Sequence, residues 1–227
     1  MGYEKMISVL VPTMGNPWHL ETTVRTLVEN AVGGPHEILV FSNEHTSETD
    51  DVIRRMQARE WPVRLVGSSD RNEGVSIAVN ACAAEAKGEF LFYTGDDYYF
   101  MPRWDAALLR RVKIGEWQYL TSRSIEPTGT NSVMYAPHPF GFKEDDFREK
   151  DLLAFWKSLP KRDVISCAGP PFAARWIWEK VGGFDLGYWP GFGTDPDLAM
   201  KIYQAAKADG KEASYLGVAT VATIIFK

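Results

Sequence analysis

Short apolar, β-branched runs alternate along this chain with longer stretches in which apolar residues recur every three or four positions. Met6-Ile7-Ser8-Val9-Leu10-Val11-Pro12 reads as a parallel strand covered on both faces and ended by its proline. Asn16-Pro17 then opens a helix, with Asn16 as cap, Pro17 in the first turn and Leu20, Val24, Leu27 and Val28 as one apolar stripe to about Ala31. Glu37 to Phe41 is the next strand, followed by the polar turn Ser42 to Thr49 and a helix carrying Val52, Ile53 and Met56. Val63 to Val66 is a third strand, Ser68 to Gly74 a turn-rich loop, and Val75 to Lys87 a small-residue helix stopped by Gly88. Glu89 to Phe100 is an apolar, aromatic run interrupted by two adjacent carboxylates, Asp96 and Asp97. Strands and helices alternating at this spacing predict an α/β fold with a doubly wound, mostly parallel sheet and right-handed crossovers.

After Pro102 the pattern changes. Trp104, Leu108, Leu109 and Val112 predict a helix and Trp117 to Thr121 a strand, but Ser122 to Glu149 has no sustained period. A loop this long in a compact domain is usually functional, and it reads as a flap over a ligand. Leu152, Leu153, Phe155 and Trp156 mark a short helix, Val164 to Gly169 a strand, and Phe172 to Val181 a helix broken by Gly182-Gly183-Phe184-Asp185. An aromatic, Gly-rich loop from Leu186 to Gly193 precedes a helix that starts at Thr194-Asp195-Pro196-Asp197, and Ala213 to Phe226 supplies one or two closing strands. No repeat or linker divides residues 1–227, which predicts a single domain whose halves are 1–101 and 102–227.

Composition narrows the partners. The 227 residues carry 30 acids against 25 bases, a formal charge of −5, with no Lys/Arg block, so no nucleic-acid footprint is visible. Cys82 and Cys167 have neither metal-ligand nor redox spacing and read as two buried thiols in a reducing compartment. No run reaches a membrane span and the first residues lack a signal-peptide core, so a soluble, cytoplasmic protein is expected. Eight Trp are more than a core of this size needs, and some are expected to line a pocket.

The acid pair is the leading chemical candidate. A strand ending in Asp96-Asp97 puts both carboxylates at its carboxyl end, where open α/β sheets place their ligands. Adjacent acids are costly to bury without a cation or donors, and hard divalent ions take carboxylate oxygens together with substrate phosphates. A metal-bridged diphosphate site and a solvated acidic turn both fit the pair by itself.

In order and spacing these pieces resemble the family 2 nucleotide-sugar glycosyltransferases of GT-A fold over nearly the whole chain. The matching residues are Ile7 to Pro12, Glu37 to Thr49, Asn72, Gly74 and Asn80, Gly88 to Asp97, and Gly182-Gly183-Phe184-Asp185. The resemblance implies a Rossmann-like sheet with a smaller acceptor-side extension. It also implies inverting transfer of a sugar from a nucleotide-diphosphate sugar, a UDP-sugar being favoured, to an acceptor hydroxyl. It puts Mn²⁺ or Mg²⁺ on Asp97 and Asp96, the donor on Pro12, Thr13, Asn43, Asp70, Asn72 and Asp96, and the acceptor beside Trp189 and Asp185. Asn43 both donates and accepts, which suits the imide edge of uracil, although the residue alone reads equally as an Asx-turn former.

Asp195 matches the family's general base. Read locally, the same residue is a helix N-cap with Pro196 behind it, and a helix dipole would lower its pKa. The chain departs from the family at Thr94 and Thr194, where acids are common, and at Ala222 and Thr223, where many relatives carry a metal-binding His. Among His19, His36, His45 and His138, only His138 in the flap is a candidate replacement. Trp176 and Trp178 are either sugar-stacking or core residues. A non-catalytic nucleotide-sugar-binding module and a nucleotidyltransferase are the competing classes. The acceptor, whether saccharide, lipid-linked glycan, another hydroxyl compound or a nucleic acid, is not legible in the residues.

Overall fold

The computed structural model describes residues 5–34, 36–125, 139–141, 143–167, 169–219 and the backbone of 222–224. Its strands and helices run in the order β1 (Ile7–Met14), α1 (Pro17–Glu29), β2 (His36–Asn43), α2 (Ser47–Ala58), β3 (Val63–Ser68), α3 (Val75–Ala84), β4 (Phe90–Tyr93), β5 (Tyr98–Phe100), α4 (Trp104–Leu109) and β6 (Trp117–Ser122). There follow α5 (Glu149–Ser158), β7 (Pro171–Ala174), α6 (Arg175–Val181), α7 (Thr194–Ala208), β8 (Ala213–Val218) and β9 (Ala222–Ile224).

Seven strands form one sheet in the order β3-β2-β1-β4-β7-β6-β8, and β5 pairs with β9 in a separate ribbon. Within the seven-stranded sheet only β7 runs against its neighbours; β1 is parallel to both β2 and β4, and β6 to β8, while the β5–β9 ribbon is antiparallel. The chain therefore winds outward from β1 to β3 and then returns to β4 on the other side of β1. The crevice between the carboxyl ends of β1 and β4 is the switch point at which such sheets bind ligands.

β1 occupies this central place because its side chains are apolar on both faces. Ile7, Val9 and Val11 pack with Leu20, Val24, Val52 and Ile53 of α1 and α2, while Leu10 packs with Ala78, Val79 and Cys82 of α3. Each such fully buried aliphatic side chain stabilises the fold by about 1.5–3 kcal/mol. The one polar residue in the run, Ser8, donates to Glu37 (2.6 Å) and accepts the Gly88 N–H (2.8 Å), so burying it leaves no hydroxyl unpaired. Leu198, Ile202 and Ala206 seat α7 on the α3 side of the sheet. A smaller core of Tyr99, Met101, Ile125, Phe140 and Leu152 fastens the far end of the predicted flap. Residues 126–138 and 142 of that flap, His138 among them, lie outside the described residues. Among the described residues no helix is long and apolar enough to cross a membrane.

Several local expectations are corrected. Phe172 to Ala174 is strand, because the gap between β4 and β6 needs an extended antiparallel partner, and the helical stripe begins only at Arg175. Among the described residues of the predicted strand Val164 to Gly169, Val164 forms an isolated bridge with Gly217 and the others are not strand. Cys82 is buried as expected, whereas Cys167 is exposed. The helix after Pro102 stops at Leu109. Asn16 stands at the N-cap of α1 without making a side-chain cap bond.

Asp105 is a fully buried carboxylate. Its carboxylate accepts the N–H groups of Val32 (3.0 Å), Gly33 (2.6 Å) and Ala106 (2.7 Å) and faces His36 Nε2 (3.1 Å). The Ile7 N–H donates to His36 Nδ1 (3.3 Å), which leaves the ring proton on Nε2 to donate to Asp105. Burial pushes the Asp105 carboxyl up, but these donors outweigh it and hold the group below the usual carboxylate range. Asp105→Ala strands the whole donor set, and we expect a loss of about 3–5 kcal/mol in urea unfolding.

Candidate functional site

The acidic turn sits in the switch-point crevice. Tyr93 ends β4, the Thr94 N–H donates to Leu10 O (3.1 Å), and Thr13 Oγ1 donates to Asp96 Oδ2 (2.5 Å) from the end of β1. The Met14 N–H and the Asn16 side chain also donate to the Asp96 carboxylate. Thr23 on α1 fixes the turn's backbone, its hydroxyl lying 2.7 Å from Asp96 O and 2.8 Å from Tyr98 O and accepting the Tyr98 N–H (3.1 Å). Burial outweighs these donors and pushes the Asp96 carboxyl up to about 6. Asp97 folds over Gly95, where an added Cβ would lie 2.5 Å from Asp97 Oδ1.

Asp195 approaches from the other half of the chain. It lies in the first turn of α7, but the capping position belongs to Gly193, so Asp195 is not the cap that the local sequence suggests. Its Oδ1 faces Thr194 Oγ1 at 3.4 Å, and the Gly169 N–H donates to its carboxylate. The dipole argument predicts a lowered pKa, yet burial wins and pushes Asp195 up to about 6. Tyr93, half-buried at the end of β4, is within electrostatic reach of all three acids: its phenol is raised far above the usual range by burial and then by the charges of Asp195, Asp97 and Asp96. One hydroxyl thus feels all three carboxylates, and the fold has brought the acid pair and the distant acid to one neighbourhood.

The predicted donor contacts divide into frame and rim. Pro12 and Thr13 are buried in the ladder, opposite Phe41 and Ser42. Asn43 Oδ1 accepts the Glu73 N–H (2.9 Å), which braces the 68–74 loop on β2. Asp70 is exposed on that loop, and Asn72 turns inward to accept the Gly74 N–H (2.8 Å). Gly74, at φ +87, leaves room for nothing larger, because a Cβ would come within 2.9 Å of Trp189 Cδ1 and 3.2 Å of Pro190 O.

The acceptor-side loop is seated on α3. The Val75 N–H donates to Pro190 O (2.8 Å), Ser76 Oγ to Asp185 O (2.8 Å), and Asn80 clasps the Phe184 backbone through Nδ2 (2.8 Å) and Oδ1 (3.0 Å). Asp185 is exposed and accepts the Gly187 N–H (2.7 Å). Trp189, 66% exposed, is tethered through its indole N–H to Asn72 O (3.4 Å), and Phe192 is 88% exposed. Asn80→Ala removes both bonds of the clasp; we expect it to cost about 2 kcal/mol and to raise the protease sensitivity of the 183–191 loop.

Trp176 and Trp178 are not at the crevice. Trp176 packs edge-on against Trp117 (4.8 Å) and lines a cavity of about 290 Å³ with Glu89, at the opposite end of β4 from the acids, while Trp178 is buried against Phe184 (5.0 Å). His45 pairs with Asp50 (3.2 Å), and among the described residues no three His, Cys, Asp or Glu side chains gather as a metal cage. Sequence reasoning missed Asn16, Thr23, Tyr93 and Tyr119. Asn16 carried a signal but pointed to a helix cap, and the others are ordinary core positions in the sequence.

Comparison with known proteins gives a consistent result. Residues 8–161 match the family model described as Glycosyl transferase family 2. Among solved structures, TarS of S. aureus in complex with UDP superposes with a TM-score of 0.65 at 14% identity, over 96% of this chain and 59% of that one. The mannosyltransferase PcManGT from Pyrobaculum calidifontis, in complex with GDP-Man and Mn²⁺, gives 0.64 at 18% over 96% and 56%. GalNAc-T7 with UDP, GalNAc and Mn²⁺ gives 0.68 at 17% over 96% and 43%. The chain thus spans about half the length of these structures, and the likeness establishes the GT-A fold. No curated protein matches.

Proposed function

This chain belongs to glycosyl transferase family 2, and from that membership we propose that it transfers a sugar, with inversion, from a UDP-sugar to an acceptor hydroxyl. The observation that carries the reading is the meeting of Asp96, Asp97 and Asp195 around Tyr93 at the switch point. The nucleoside lies over the ends of β1 and β2, between Pro12, Thr13, Asn43 and the loop of Asp70 and Asn72, with Asp96 turned to the ribose or phosphates. The acceptor rests beside Trp189 and Asp185, so that residues 1–101 bind the donor and 102–227 the acceptor. Asp195 takes the acceptor proton as that oxygen attacks the anomeric carbon from the face opposite the leaving group. The nucleoside diphosphate departs with the bonding electrons, and Asp195 returns its proton to solvent. A carboxyl raised to about 6 is ionised at neutral pH and more basic than an ordinary Asp, which suits general-base work.

The donor set fits Mn²⁺ or Mg²⁺ carried by the substrate. Asp97 offers carboxylate oxygen at the crevice, Asp96 is engaged by Thr13, and such ions accept one or two carboxylates completed by phosphate oxygens. When bound, the ion acts as a Lewis acid on the leaving diphosphate. The structures superposed above that hold UDP, GDP-Man or Mn²⁺ support this choice of ligands.

The test is a panel of UDP-glucose, UDP-galactose and UDP-N-acetylglucosamine with and without Mn²⁺, read by melting temperature and by UDP release. Mn²⁺-dependent stabilisation together with UDP release is the expected result. Stabilisation without release under any acceptor would indicate a binding module, and pyrophosphate release from a nucleoside triphosphate would indicate a nucleotidyltransferase.

A further inference from the structure

We propose that Tyr119, in β6, is a positioning residue for the base: its hydroxyl pins residue 169, whose N–H faces the Asp195 carboxylate. The inference rests on the reading of Asp195 as base. Tyr119 is fully buried, and a buried phenol must find an acceptor. It donates to Gly169 O at 2.8 Å, in the segment that enters β7. Gly169 has φ +99, a conformation that side chains resist, and its N–H lies in the peptide before the one that Tyr119 holds, so the bond at the carbonyl anchors residue 169 itself against β6. That N–H donates to Asp195.

The neighbouring tyrosine gives an internal comparison. Tyr215 of β8 is the register partner of Tyr119, with ring centroids 6.2 Å apart. Its hydroxyl donates to Ala199 O (3.1 Å), one turn further along α7 than Asp195, and so fastens the helix by a bond that does not involve Gly169. Of the two paired phenols, that of Tyr119 bonds the residue whose N–H faces the base and that of Tyr215 bonds the helix carrying it. The groups facing Asp195 are Thr194 on its own helix, Gly169 before β7, Tyr93 from β4 and Tyr119 from β6, with Asp96 and Asp97 acting across Tyr93. Cys167 stands near Tyr119, and Asp197 and Lys201 pair with each other on α7 (3.6 Å).

The experiment compares Tyr119→Phe, Tyr215→Phe and Asp195→Asn with wild type, using the best UDP-sugar of the panel and ¹³C-carboxyl NMR titration. Tyr119→Phe keeps the ring and removes one donor. It is expected to lower kcat about tenfold with donor KM unchanged, in keeping with the cost of a slightly misplaced catalytic group. It should also move the Asp195 titration upward, because the Gly169 N–H favours the charged form. Tyr215→Phe should show a similar fall in melting temperature with kcat and titration unmoved. Gly169→Ala, which disturbs the backbone of the same residue at its φ of +99, should match Tyr119→Phe in both readouts. Equal loss of kcat in the two Phe variants, or wild-type kcat and titration in Tyr119→Phe, overturns the inference. Full activity in Asp195→Asn instead overturns the reading of the base, while the titrations still report whether Tyr119 sets the carboxylate's surroundings.

Discussion

Asp195→Asn is expected to slow sugar transfer by about 10²–10⁴-fold while raising the melting temperature at pH 7. The rate loss follows from removing a general base whose geometry the amide preserves. The gain in stability follows from linkage. Burial raises the folded pKa of Asp195 to about 6, above its unfolded value near 4, so the folded protein binds the proton more tightly. The stability this group contributes is complete below the unfolded pKa and is lost as pH rises through about 6. At pH 7 the charged carboxylate costs up to about 3 kcal/mol, at roughly 1.4 kcal/mol per pKa unit. Asparagine removes that penalty, so the variant should melt several degrees higher at pH 7, with the difference vanishing near pH 4. Wild-type activity should show an acid limb near 6, since the base must be ionised. Scanning calorimetry and a pH–rate profile check both halves, and a variant that is neither slower nor more stable at pH 7 refutes the assignment.

The second large effect is expected at Asp97. Asp97→Asn removes one of the two adjacent carboxylates at the end of β4, the one proposed above to hold the ion, and should lower transfer at least about 100-fold at limiting Mn²⁺. Excess Mn²⁺ should restore part of the rate, because the donor's phosphates supply the other ligands. The check independent of turnover is the melting temperature with UDP: Mn²⁺ should add stabilisation in the wild type and little in the variant, in proportion to occupancy. Chelation should reproduce the variant's behaviour in the wild type. If UDP stabilises both proteins equally with and without Mn²⁺, the proposed role of Asp97 is wrong.

What could be read in advance follows the reach of each signal. Period and composition were enough for β1 to β4 and α1 to α3, because a strand covered on both faces must be apolar throughout and a surface helix must carry one stripe. Helical period failed at Phe172 to Ala174, where buried apolar residues fit either element and only the gap between β4 and β6 chose the strand. Asn43 was legible as a turn-end amide but not as the acceptor of the Glu73 N–H, since its partner lies on another loop.

The sequence by itself determined the strands β1 to β4 and their alternation with helices, the strand end that displays Asp96-Asp97, and the helix that begins beside Asp195, because each depends on neighbours within a few positions. Tertiary structure alone decided that these acids meet around Tyr93, that Gly193 is the cap and Asp195 is not, and that Asp195 is pushed up to about 6 against the pull of its helix. The physical reason is that desolvation depends on everything packed around a group, and Tyr93, Tyr119 and Gly169 come to Asp195 from segments distant in sequence.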